Sequence, residues 1–158
     1  MREIATLNDI AEIREAFDVE CKLAQGRDGK GQLPDDIWES YSAFANTFGG
    51  DIFLGLREEY GETYVLAGIE DTGKVLKELW HGLQDPDNVS SNILLEHWVK
   101  VISIAGKNVI HIHVPRAPAK QRPVYLRGDP LQGSYRRFNS ADMRMSEDVV
   151  KRMMAEEA

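Results

Sequence analysis

The sequence predicts an α+β fold: a mixed, largely antiparallel sheet covered by two or three helices. Three stretches carry this expectation. Residues 42–56, Ser42-Ala43-Phe44-Ala45-Asn46-Thr47-Phe48-Gly49-Gly50-Asp51-Ile52-Phe53-Leu54-Gly55-Leu56, read as a helix end, a Gly-Gly break and a strand. That strand is apolar on both faces and therefore belongs in the middle of a sheet. Residues 94–115 alternate about a short glycine-containing turn and read as an antiparallel hairpin. Val75, Leu76, Leu79, Trp80 and Leu83 recur at helical spacing and mark an amphipathic helix.

The elements follow in order. Leu7, Ile10 and Ile13 predict a short helix over 6–15. Residues 17–23 alternate as a strand, with Asp18, Glu20 and Lys22 on one face and Val19, Cys21 and Leu23 on the other. Cys21 thus reads as a small buried apolar residue, not a nucleophile. The loop from Gly26 to Gly31 has two cations but lacks the spacing of a phosphate-binding P-loop. Pro34 suits the first turn of the next helix, Asp35 and Asp36 favour its positive end, and Ile37, Tyr41 and Phe44 form its apolar stripe. Glu58 to Glu62 is a polar turn and Thr63 to Ile69 a further strand. Thr72 caps the next helix, which Asp85-Pro86-Asp87 ends.

In the hairpin, Gly106 at the first central position of a type II′ turn pairs Ser103 with Ile110, Val101 with Ile112 and Val99 with Val114. Ile104 with Val109, Ile102 with His111 and Lys100 with His113 then share the opposite, more polar face. Residues 115–123 form a proline-containing basic connector. Residues 124–126 and 134–138 read as short strands around a turn, and Ser146 caps a last helix whose apolar side is Val149, Val150, Met153 and Met154.

The 158 residues suit one domain spanning 1–158, and 42% hydrophobic content supplies its core. No apolar run approaches the roughly 20 residues of a membrane span. The amino-terminal residues lack a signal-peptide pattern and one cysteine permits no internal disulfide, so the expected location is the cytoplasm, with no membrane partner. The net charge of −7 argues against a general polyanion binder, yet it is unevenly spread. Residues 100–145 hold nine Lys and Arg (Lys100, Lys107, Arg116, Lys120, Arg122, Arg127, Arg136, Arg137 and Arg144) against Asp129 and Asp142. The remainder holds ten basic and twenty-four acidic residues. A basic face on an acidic body steers a phosphate backbone to one side; the alternative is an ordinary solvated surface.

Lys120, Arg122, Arg127, Arg136 and Arg137 are the candidate nucleic-acid contacts, with Tyr125 and Tyr135 as stacking partners. Such contacts hold a backbone without reading its sequence. His111 and His113 lack a third metal ligand at useful spacing, so they read as exposed strand histidines, and no metal site is assigned. Arg127-Gly128-Asp129 is read as an ordinary turn and not as an adhesion motif.

These pieces, in this order, resemble the Schlafen AlbA-like DNA-binding domain. The resemblance rests on Glu15 with Phe17-Asp18-Val19-Glu20-Cys21-Lys22, on Ala43 to Leu56 matching an A-F-A-N-T-x-G-G element followed by a strand, on Gly68-Ile69, and on Arg122-Pro123-Val124-Tyr125 with Tyr135-Arg136-Arg137. It covers residues 7–154. Cys21 stands where members usually carry an aromatic residue, and Leu56-Arg57-Glu58-Glu59 replaces a valine followed by aspartates. The resemblance implies a nucleic-acid partner, DNA ahead of RNA, and the DNA-binding part of a bacterial transcriptional regulator, here a short form or fragment without a C-terminal winged helix. It also implies a homodimer, because Schlafen cores set two such lobes face to face.

The alternative is a metal-dependent endoribonuclease. Glu20-Cys21-Lys22 has the E-x-K form of metal nucleases, and Glu15 lies five residues before Glu20, the spacing of the acidic pair in RNA-cleaving Schlafen proteins. Glu58 or Glu59 would add a further carboxylate. Glu15, Glu20 and Lys22 are its catalytic candidates, and only this alternative calls for a cofactor, Mg²⁺ or Mn²⁺. E-x-K is a short pattern common on exposed strands, so binding stands first.

Overall fold

In the computed structural model, which describes residues 1–157, a four-stranded sheet has the order β1-β2-β6-β5. Its strands are β1 (Val19–Lys22), β2 (Gly50–Leu54), β5 (Val99–Ile104) and β6 (Lys107–Val114). Only β1 and β2 run parallel; β2–β6 and β5–β6 are antiparallel, the expected mixed arrangement. The remaining strands form two separate ribbons, β3 (Leu56–Glu59) with β4 (Thr63–Leu66), and β7 (Tyr135–Phe138) with β8 (Ala141–Arg144). Strand β8 escapes the sequence reading because Ala141, Asp142 and Arg144 give no apolar alternation.

The central strand separates two cores. Ile52 and Leu54 of β2, with Ile110, Ile112 and Val114 of β6, face helices α2 (Ile37–Asn46) and α3 (Thr72–Gln84) through Ile37, Tyr41, Phe44, Val75, Leu79 and Leu83. Phe53 and Val109, with Val19 and Cys21 of β1, face the other way onto α1 (Leu7–Glu12) and the β3–β4 ribbon. All five residues of β2 are buried, because period-2 alternation meets a covered face on each side.

Gly49 and Gly50 do different work. Gly49 takes φ +76, and its amide donates to the Phe44 carbonyl at 2.8 Å, closing α2 in the left-handed conformation. A Cβ on Gly50 would fall 2.5 Å from the Phe44 ring, so the strand passes beneath the helix only because this side chain is missing. Helix α3 begins one residue earlier than its expected cap: Asp71, not Thr72, accepts the Lys74 amide.

The hairpin register differs from expectation by two residues. Val99 faces Ile112, Lys100 faces His111 and Ile102 faces Val109 around a loop of Ala105 (φ 48) and Gly106 (φ 81). Two positive φ values make this a type I′ turn with Gly106 second. A slip of two keeps every side chain on its own face, so apolar patterning cannot detect it.

Helix α4 (Pro130–Gly133) leads into β7, and α5 (Glu147–Glu157) closes the chain. Ser146 accepts the Val149 amide, as a cap should. Val150 is buried and Met153 half-buried, whereas Met154 is exposed, so the buried stripe of α5 is narrower than its composition suggests. Among the described residues, no helix is long and apolar enough to cross a membrane.

Candidate nucleic-acid interface

The last turns of α2 hold the second half of the chain in place. The Asn46 amide donates to the carbonyls of Val124 and Tyr135, both at 2.9 Å, and its oxygen accepts the Val124 amide at 2.7 Å. Ser42 Oγ donates to the Val124 carbonyl and accepts the Tyr135 amide. Thr47 Oγ1 accepts the Arg137 amide at 2.9 Å, and the Ala45 carbonyl accepts the Ala117 amide. Side chains that compete with helical backbone bonding end this helix and, with the Ala45 carbonyl, clamp three segments to it.

Arg137, a predicted phosphate contact, lies inside. Its side chain has no exposed surface; Nη1 donates to Glu20 Oε1 at 2.9 Å and to Asp142 Oδ1 at 2.7 Å. Nη2 donates to the carbonyls of Ala16 and Val19, Nε to Ala16, and the guanidinium stands 4.8 Å from the Phe44 ring centroid. With its nitrogens spent on internal acceptors, Arg137 is a structural tie and offers nothing to a ligand. For the same reason the Asp18–Glu20–Lys22 face is not an open strand face, because the β7–β8 ribbon and α2 cover it.

Glu15, Glu20 and Lys22 do meet, in an open cleft of about 590 Å³ along the β1 edge, with Asp36, Glu39, Glu58 and Asp142. Each is already engaged. Glu15 Oε2 accepts the Cys21 amide at 3.1 Å, blunting the free edge of β1. Glu20 holds Arg137, and Lys22 Nζ lies 3.2 Å from Asp36. Burial, then the neighbouring Glu15, pushes the Tyr64 hydroxyl up. Burial, then Glu15, also pushes the Cys21 thiol up to about 12, which keeps it protonated and unreactive. As arranged, these residues do not fit a resident divalent ion: among the described residues no three His, Cys, Asp or Glu side chains are grouped to hold one.

The histidines are not exposed strand residues either. His111 is buried, stacks on Phe53 with centroids 4.5 Å apart, and places Nε2 2.8 Å from Asp51 Oδ1. His113 Nδ1 is 3.0 Å from the same oxygen, and Asp51 Oδ2 accepts the Arg2 amide. Burial alone would raise the Asp51 carboxyl, but hydrogen bonds from His111, the Arg2 amide and His113 outweigh it and hold the carboxyl below its usual range.

The nine basic residues of 100–145 do not form one face. Lys100 and Lys107 sit on the β5–β6 hairpin, Lys107 lining a hollow with Glu70, and Arg136 and Arg144 lie on the β7–β8 ribbon. Lys120 and Arg122 line a groove of about 350 Å³ with Ser90, Gln121, Tyr125 and Met154, and among the described residues that line it there is no carboxylate. The segment 88–90 runs antiparallel to 125–127: Tyr125 exchanges bonds with Ser90, and the Arg127 amide donates to Asn88. Arg127 is exposed one rung beyond the groove. Tyr125 is half-buried in it, whereas Tyr135 packs against the main core. The groove was legible only in part, because Ser90 and Met154 arrive from segments with no basic signal.

Residues 15–146 match the Schlafen AlbA_2 family. The chain belongs to that family. The Schlafen AlbA_2 match therefore spans the E-x-K strand, the α2 clamp and the β7–β8 ribbon. Its fold is shared with the N-terminal domain of a Nitrosomonas europaea protein named as an ATP-dependent DNA helicase RecG-related protein, at 25% identity and a TM-score of 0.62, covering 88% of this chain and 90% of that one. The DIP2311 protein of Corynebacterium diphtheriae shares the fold at 18% identity and a TM-score of 0.58; the match covers 89% of this chain but only 24% of that one. No curated protein matches the sequence.

Proposed function

We propose that this Schlafen AlbA_2 domain binds nucleic acid, DNA ahead of RNA, with backbone phosphates at Lys120 and Arg122 and with Arg127 extending the contact. The observation that carries the reading is the groove itself: exposed Lys120 stands in it beside Arg122 and the Tyr125 ring, on a protein of net charge −7. Family membership and the DNA helicase-related neighbour support the same partner. We further propose a role in a cytoplasmic transcriptional regulator and pairing with a second copy; a monomer mass by light scattering at high concentration would contradict the pairing.

Fluorescence anisotropy with labelled duplex DNA and with tRNA tests the reading. Duplex should bind, and more tightly than tRNA, with Lys120→Glu weakening it and leaving the thermal melt unchanged. Absence of binding to either at low salt overturns it.

A second reading, RNA cleavage by Glu15, Glu20 and Lys22, draws on their meeting in one cleft. It is set against the engagement of Glu20 by Arg137. Structured RNA incubated with Mn²⁺ separates the two readings: intact RNA favours binding alone, and cleavage lost in Glu20→Ala favours the nuclease.

A further inference from the structure

The β7–β8 ribbon sorts its side chains by face. Arg137 and Asp142, opposite one another, turn inward, and Asp142 is spent on Arg137 and on the Ser40 hydroxyl. Phe138 is 53% exposed and Met143, opposite Arg136, is 42% exposed. The Arg136 guanidinium sits 5.6 Å from the Phe138 ring centroid.

Arg137 also fixes what flanks the ribbon. Its amide holds Thr47 and its guanidinium holds the Ala16 carbonyl, so Phe48 and Phe17, each the next residue, reach the ribbon's surroundings from two loops. Phe48 is 74% and Phe17 54% exposed. Rings left this open beside a cation mark a surface that meets a partner.

We propose that Phe138 and Phe48 form a stacking platform for unpaired bases, with Arg136 on the phosphates between them. This rests on the nucleic-acid reading above and specifies its substrate class: a single strand, or a duplex with a single-stranded tail. Charge selects the occupant. The ionised side chain on the face that carries Phe138 is Arg136, because Asp142 and Arg144 stand on the opposite face with Arg137. A second copy placed face to face would set Arg136 against its equivalent. A single strand brings phosphates to Arg136 and free base faces to the rings, whereas a duplex keeps its base faces stacked inside.

The test measures anisotropy of labelled oligothymidine and of a blunt duplex with the full chain. In the double variant Phe48→Ala/Phe138→Ala, single-strand affinity should fall about tenfold or more while duplex affinity holds. Phe138→Trp should retain or strengthen single-strand binding, since it keeps a stacking face; it also carries the test should the double variant melt early. Unchanged single-strand affinity in the double variant, or loss of it in Phe138→Trp, overturns the platform and leaves the groove reading standing. A wild-type chain that binds neither nucleic acid overturns the groove reading and the platform together. A dimer by light scattering that Phe138→Ala converts to monomer assigns the surface to self-association and also overturns the platform.

Discussion

The cleft at the β1 edge and the groove beside α5 both contain Lys or Arg with Tyr, yet their charges are handled in opposite ways. In the cleft every cation that matters has a carboxylate on it: Arg137 holds Glu20 and Asp142, and Lys22 holds Asp36. In the groove Lys120 shares its walls with Ser90, Gln121 and Tyr125, and none of the described residues that line it is an acid. A count of arginines along the chain cannot separate these cases. The local partner decides whether a cation stabilises the fold or waits for a phosphate, since an ion pair inside a covered site consumes the charge that a ligand would need.

This contrast can be broken most forcefully at Arg137. Arg137→Met leaves Glu20 and Asp142 without their cation and takes the guanidinium donors from the Ala16 and Val19 carbonyls, a loss of about 3–5 kcal/mol by urea denaturation. A variant as stable as wild type would remove Arg137 from the structural side. Next is Asn46→Ala, which strips the Val124 amide and the Tyr135 carbonyl of their partners and leaves the Val124 carbonyl to Ser42 alone; about 2 kcal/mol of destabilisation is expected, again by urea. The groove and the ribbon hang from that clamp, so nucleic-acid affinity should fall with it.

Lys120→Glu should do the reverse, lowering duplex affinity about tenfold with an unchanged melt. Equal losses of stability and affinity would erase the distinction between the two regions. The smallest effect is at Asp51. Its folded carboxyl is held below its ordinary value, so its contribution is present at neutral pH and is lost as the pH falls through and below about 3.8. Asp51→Asn should flatten the acid limb of the stability profile without touching DNA binding.

The sheet and its helices were legible because β2 and α3 announce themselves by apolar spacing alone. Glu15, Glu20 and Lys22 were also correctly gathered, since they flank one short strand. What stayed hidden depends on partners far away in the chain. Arg137 is 117 residues from Glu20, and no local pattern distinguishes it from exposed Arg136 beside it. Asp51 lies 60 residues from His111, so two apparently exposed histidines proved to be a carboxylate-linked pair at the edge of the core. Phe48 and Phe138 read as core residues by type, and only the fold leaves them in solvent.

The central claim is that Lys120, beside Arg122 in the groove, holds phosphate. Its most direct measurement is the slope of log affinity against log salt for a blunt DNA duplex, taken with wild type and with Lys120→Gln. The wild-type slope should be clearly negative, and the variant's shallower by about one. Identical slopes, or affinity indifferent to salt, would contradict it.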